Sequence, residues 1–240
     1  MEYLWYIILE LFGLYLISRK LTNQLYHIFF AVFHTRSLAL PFLIALLFPG
    51  TIIHELSHLF TAEILGVKTG KLTLVPESIK EERVQMGSVE LTRTDPFRRS
   101  IIGLAPFLTG LTALFILSTL LPDFWNKAIL AYQQNRLLSS PYSYFVLLTS
   151  YFLFCISATM FASREDMKGV IPLGIVLGIL GIGIYFAGIR IGLTMELEKT
   201  IEGFLSAIAK SLSAVIFLNL CLYFISSICI RAIPRVKTHG

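Results

Sequence analysis

Residues 38–65 read LALPFLIALLFPGTIIHELSHLFTAEIL. The run is long and apolar enough for a helix that crosses a hydrocarbon core of about 30 Å, which takes about 20 residues. Yet it holds His54, Glu55 and His58 within one turn and a half. A charge at mid-bilayer costs roughly 2.5 kcal/mol or more, so three ionisable groups this close together call for a metal ion or a water-filled cavity. Pro41, Pro49 and Gly50 precede the histidines and predict a kink just before them.

Outward from this segment the same hydrophobicity continues. The 240 residues are 55% hydrophobic and 15% charged, with a mean hydropathy of +0.74, outside the range of soluble domains. Apolar runs recur along the whole length, which predicts a single all-α polytopic membrane domain over 1–240. A core at 38–169 would carry the chemistry, with additional helices in 1–37 and 170–240. Six spans are expected, at Tyr3–Ile17, Leu38–Leu65, Ile101–Leu121, Tyr142–Ala162, Val170–Ile189 and Phe204–Ile230. The shorter Leu25–Phe33, flanked by Arg19, Lys20, His34 and Arg36, reads as an interfacial segment lying flat. Glu2 stands where a secretory leader carries basic residues, and no small-residue cleavage site follows Ile17, so the first helix is expected to be retained.

The net charge of +5 and pI near 9.1 come from basic residues in short segments between apolar runs. Lipid headgroups and topology account for them, and nucleic acid is not an expected partner. Cys155, Cys221 and Cys229 fall in predicted helices without CxxC spacing and read as small buried side chains. From Gly66 to Arg99 the character changes to mixed charge, with two strand-like pieces, Lys71–Val75 and Val84–Thr92, that predict a small β-hairpin after the histidine helix. With the N-terminus inside, twelve Lys and Arg residues fall in cytoplasmic segments against eight outside, which favours a multi-pass protein of the cell membrane with its N-terminus and site on the cytoplasmic side.

His54-Glu55-Leu56-Ser57-His58 is an HExxH pattern. Helix positions four apart share a face, so His54 and His58 can direct two imidazoles at one metal ion. Glu55 lies about 100° around the helix from His54 and can act as general base on a metal-activated water. Zinc lowers the pKa of bound water from about 15.7 toward 7, which makes peptide hydrolysis at neutral pH possible. A catalytic zinc takes three protein ligands and keeps one open position. Helix parity brings the end of the fourth span to the membrane side where His58 sits, so Ser163–Gly169 can supply the third. Asp166 is the first choice there and Glu165 the reserve, the latter implying a glutamate-type zinc peptidase with a different fold.

These residues resemble the site-2 protease family of intramembrane zinc metalloproteases. The likeness covers roughly Leu38 to Gly169: HExxH in a membrane helix, the following Ala62 to Gly66 and hairpin, and an aspartate near the end of a later helix. It implies zinc bound by His54, His58 and Asp166, catalysis by Glu55, and a membrane protein or peptide as substrate. It also implies that the hairpin offers a strand edge to an extended substrate. The family's usual glycine directly after the ligand aspartate is displaced here, since Met167 follows Asp166 and Gly169 comes later. That pattern suits a divergent, minimal member.

Other polar residues read more simply. Asn219 suits an interhelical hydrogen bond, and the glycine pairs 174/178 and 188/192 have the spacing of close helix packing. His27, His34 and His239 sit in surface or terminal contexts. The alternative function is a non-proteolytic metal-binding scaffold, chaperone or sensor, against which Glu55 argues, because a structural metal site needs no general base. A metal-ion transporter would spread its polar residues across the bilayer rather than gather them toward one side.

Overall fold

A bilayer offers no water to backbone N–H and C=O groups, so each spanning segment must satisfy its own, and the apolar runs accordingly form helices. The computed structural model describes residues 2–73, 88–91, 94–161 and 194–232, with seven further residues between 175 and 186. Its long helices are α1 (Glu2–Phe33), α2 (Arg36–Ile64), α3 (Pro96–Gln133), α4 (Pro141–Thr159) and α5 (Met195–Ala232). Four of them, α2 to α5, are long and apolar enough to cross a membrane. The protein is an all-α membrane protein, and its outer surface agrees: Leu147, Phe217 and Ile228 are each 68–69% exposed, as contact with lipid requires.

The N-terminal region differs from expectation. Tyr3–Ile17 and the segment expected to lie flat, Leu25–Phe33, belong to one unbroken helix, α1. Arg19 and Lys20 do not end it. The Arg19 guanidinium turns back to donate to the Tyr15 hydroxyl at 2.9 Å, while Leu14, Ser18 and Leu21 keep the opposite side buried. Long basic side chains can extend away from an apolar face without interrupting the helix that carries them. The expected span Val170–Ile189 lies for the most part outside the described residues.

Side-chain contacts fix the helix directions. The Ser213 hydroxyl donates to Glu10 and the Gln24 amide donates to Ser227 Oγ at 2.7 Å, both across the same sequence separation, so α1 and α5 run parallel. The Leu46 carbonyl accepts from the Tyr151 hydroxyl at 2.8 Å and from the Cys155 thiol at 3.2 Å, and Gly50 faces Cys155 and Thr159, so α2 and α4 also run parallel. These bonds compensate a local disturbance, because Pro49 removes a helix N–H and neighbouring side chains take over nearby carbonyls. Helix α3 runs opposite to α4, with Phe124 stacked on Phe145 at one end and Phe107 beside Phe161 at the other. One end of the bundle therefore collects the end of α2, the start of α3 and the end of α4.

The core between them is aliphatic. Leu14, Leu114, Leu153, Ile156, Leu212 and Val215 form one cluster drawn from α1, α3, α4 and α5. Asn219 is fully buried beside it and donates to Ser157 Oγ at 3.0 Å and to the Val215 carbonyl at 2.9 Å, a bond between α5 and α4. Between α2 and α3 two short strands, β1 (Thr69–Thr73) and β2 (Ser88–Leu91), pair antiparallel with Leu72 opposite Val89 and Thr73 opposite Ser88. Residues 74–87 lie outside the described residues.

Helix α3 starts sharply. Asp95 caps it by accepting from the Arg98 N–H at 2.9 Å, its second oxygen lies 3.3 Å from Arg98 Nε, and Pro96 occupies the first position. Asp95→Ala should lower stability by about 1 kcal/mol, the usual worth of an N-cap. Thermal unfolding in detergent checks this, with Asp95→Asn expected to keep most of the stability; equal melting of Asp95→Ala and wild type would contradict the cap.

Candidate metal centre

The buried face of α2 is a stripe of positions three or four apart. It begins with Leu40, Ile44 and Leu47 and continues through Thr51, Glu55, His58 and Ala62, all buried. This is the spacing of one helix face, so the sequence places a carboxylate and an imidazole where the lower half of the helix places leucine and isoleucine. Glu55 is 5% and His58 7% exposed, and His54, at the edge of the stripe, is half-buried. At 3.6 residues per turn His58 lies about 40° and Glu55 about 100° around the helix from His54, so all three project within one narrow sector.

The two imidazoles are neighbours, with ring centres 5.0 Å apart and planes at 79°. Two imidazole nitrogens about 2.1 Å from one tetrahedral ion put the ring centres roughly 5 Å apart. The pair thus has the spacing a shared metal needs.

His58 Nδ1 lies 2.8 Å from the Ile102 carbonyl oxygen, in a buried contact between α2 and α3. A carbonyl can only accept, so Nδ1 carries the proton and donates. In a neutral ring the lone pair is then on Nε2, and the ring is held in one orientation. A carbonyl accepting from the ring nitrogen that faces away from the metal is what metal-binding histidines ordinarily have. The residues present fit zinc on this ground and on the spacing of the rings.

The end of α2 supports the same contact. Gly66 adopts φ +67°, its N–H donates to the Glu63 carbonyl at 3.0 Å, and the Val67 N–H donates to the Ala62 carbonyl at 2.9 Å. This is a Schellman stop, in which a left-handed residue, best glycine, closes the last carbonyls and brings the next side chain back onto the helix. Val67 accordingly packs with Ala62 and Ile102. The stop that turns the chain toward β1 thereby also clamps the residue whose carbonyl holds His58. Ile102 is the second residue of the apolar run beginning at Ile101, so the histidines sit near one end of the apolar layer rather than at its middle.

Of the expected site residues, the structure brings together His54, Glu55 and His58. Asp166 and Glu165 lie outside the described residues. Phe161, shortly before them, packs against Tyr15 at 5.3 Å and Phe107 at 6.5 Å between ring centres. Met160 joins a core cluster against which Ile53, the residue before His54, also packs. Among the described residues no three His, Cys, Asp or Glu side chains are placed to hold one metal ion together, so the described part of the site offers the His54–His58 pair as ligands with Glu55 beside it. The Ile102 carbonyl is the participant that sequence reading misses, because a backbone acceptor leaves no signal in residue type. No protein-family model, curated protein or solved structure matches the chain.

Proposed function

We propose that the protein is a zinc-dependent intramembrane endopeptidase, resembling the site-2 proteases, that hydrolyses membrane-embedded or membrane-adjacent peptides. The observation that carries this reading is the His58 Nδ1–Ile102 contact at 2.8 Å, which prepares one imidazole as a ligand beside a second imidazole and a buried carboxylate. His54 and His58 would hold the ion, and Asp166, or Glu165 in its place, would complete the set. A zinc ion held there supplies Lewis acidity to a water molecule and to the scissile carbonyl. Glu55 takes the proton that the attacking water loses and passes it to the nitrogen of the leaving amine, so the carboxylate returns to its starting state. Its burial keeps bulk water from competing for that proton. The Ile102 carbonyl holds the His58 ring in its Nδ1–H tautomer and keeps it aimed throughout.

What supports a third ligand after α4 is the direction of the helices. α2 and α4 run the same way, and α4 ends beside the residues that precede His54. Asp166 is five positions after Phe161, and extended chain covers at most about 3.6 Å per residue, so the reach is short. The paired strands begin three residues after Gly66, and among the described residues each pairs only with the other, so an unwound substrate could add main-chain hydrogen bonds along an edge. The end of the bundle that carries the site also holds the start of α1, and the balance of Lys and Arg assigns it to the cytoplasmic side.

The test uses protein purified in detergent with zinc determined per chain, and transmembrane peptides incubated in ¹⁸O water with products read by mass spectrometry. Expected are about one zinc per chain, lost in His54→Ala and Asp166→Ala but kept in Glu165→Ala, and one ¹⁸O in each new carboxyl terminus. Loss in Glu165→Ala alone would move the third ligand to the glutamate. Zinc without cleavage would leave a metal-binding scaffold, and folded protein without any divalent metal would end the protease reading.

A further inference from the structure

At the end of the bundle away from the histidines, the last turns of α3 and the first turn of α4 enclose an open cavity of about 510 Å³. Lys127, Gln134, Arg136, Ser139, Ser140 and Tyr142 contribute to its wall, and among the described residues no acidic side chain does. We infer that this cavity binds the phosphate headgroup of an anionic lipid.

Lys127 is held by its side-chain contacts and Arg136 by its backbone before any ligand arrives. Lys127 Nζ is held 2.7 Å from Asp123 and 5.2 Å from the centre of the Tyr142 ring, which fixes the ammonium at the cavity mouth and offsets part of its charge. Arg136 is rooted in a rigid turn. Asn135 takes φ +56°, and the Arg136 N–H donates to the Ala131 carbonyl at 2.9 Å, closing α3 in the same manner as Gly66 closes α2. Among the described residues Arg136 has no carboxylate partner, so its planar guanidinium is available for two parallel bonds to phosphate oxygens.

The surroundings identify the phosphate as a lipid's. The apolar run of α3 ends where Asp123, Asn126 and Lys127 begin, and Trp125, Tyr132 and Tyr144 are exposed at this end of the bundle, spread along roughly 10 Å of its length. Tryptophan and tyrosine collect at headgroup depth. Toward the bundle centre, Leu120, Phe145 and Leu148 are exposed and offer a surface to acyl chains. A zwitterionic headgroup would bring its own cation against Lys127 and Arg136, so an acidic lipid fits better.

Full-length protein in detergent is titrated with short-chain phosphatidylglycerol, with phosphatidylcholine of the same chain length, and with inorganic phosphate, and bound lipid is read by native mass spectrometry. Phosphatidylglycerol should bind about tenfold more tightly than phosphatidylcholine, and Arg136→Gln should remove about that factor, the worth of one charge-assisted contact. Arg136→Lys should fall between. Arg136 is exposed in a connecting turn, and an unchanged circular dichroism spectrum confirms folded protein. Equal binding of both lipids, no effect of Arg136→Gln, or competition by inorganic phosphate as strong as by the lipid would each overturn the assignment.

Discussion

Glu55→Gln should reduce peptide hydrolysis by about 10²–10⁴-fold, the usual contribution of a positioned general base, and leave zinc content unchanged. Glutamine matches the shape of glutamate but cannot accept the proton that an attacking water must lose. Glu55 is buried on the same stripe as His58, so the near-isosteric substitution stays within the packed face and adds no charge to it. Metal retention is expected because in the proposed site the imidazoles, and not Glu55, would be the ligands. His58 should keep its bond to the Ile102 carbonyl and its place beside His54, contacts that do not involve Glu55. Rates on a cleaved transmembrane peptide, with zinc measured on the same preparation, check both halves. Activity within a few-fold of wild type would remove Glu55 from the chemistry, and loss of zinc would make it a ligand.

Much of this site is legible in the sequence because helix geometry is local. Residues four apart must share a face, so the sector containing His54, Glu55 and His58 follows from their numbers alone, and the apolar runs of α2 to α5 follow from hydropathy. What fails to read is non-local or depends on competition. Arg19 and Lys20 look like the end of a short span, yet α1 continues because basic side chains can extend away while Leu14, Ser18 and Leu21 stay buried. The Ile102 carbonyl belongs to a residue 44 positions from His58 and has no side-chain signature. Leu46 is similar: its carbonyl is served by Tyr151 and Cys155 of another helix, a pairing visible only after α2 and α4 are side by side. Gly50 could be read as part of a kink beside Pro49, but its larger role is a helix crossing.

That crossing gives the largest expected effect on stability. A Cβ built on Gly50 would lie 2.7 Å from the Cys155 carbonyl carbon and 2.5 Å from Thr159 Oγ1, and closer still to the Cys155 carbonyl oxygen. The threonine side chain can rotate, but the Cys155 carbonyl is backbone and accepts from Thr159 Oγ1 at 2.9 Å within α4. Gly50→Ala therefore has to push α2 away from α4, which weakens the bonds from Tyr151 and Cys155 to Leu46 and shifts His54, one turn further along the same helix. Overpacking of this kind costs about 1–3 kcal/mol. Gly13 of α1 is the internal control, because a Cβ there meets nothing within 4 Å. Gly13→Ala should be neutral or more stable by about 0.5–1 kcal/mol, since alanine loses less backbone freedom in a helix. Thermal unfolding of both variants in the same detergent, with zinc measured on each, separates the cases. Gly50→Ala should melt earlier and hold less zinc while Gly13→Ala keeps both properties, and if the two behave alike α2 and α4 do not cross at Gly50.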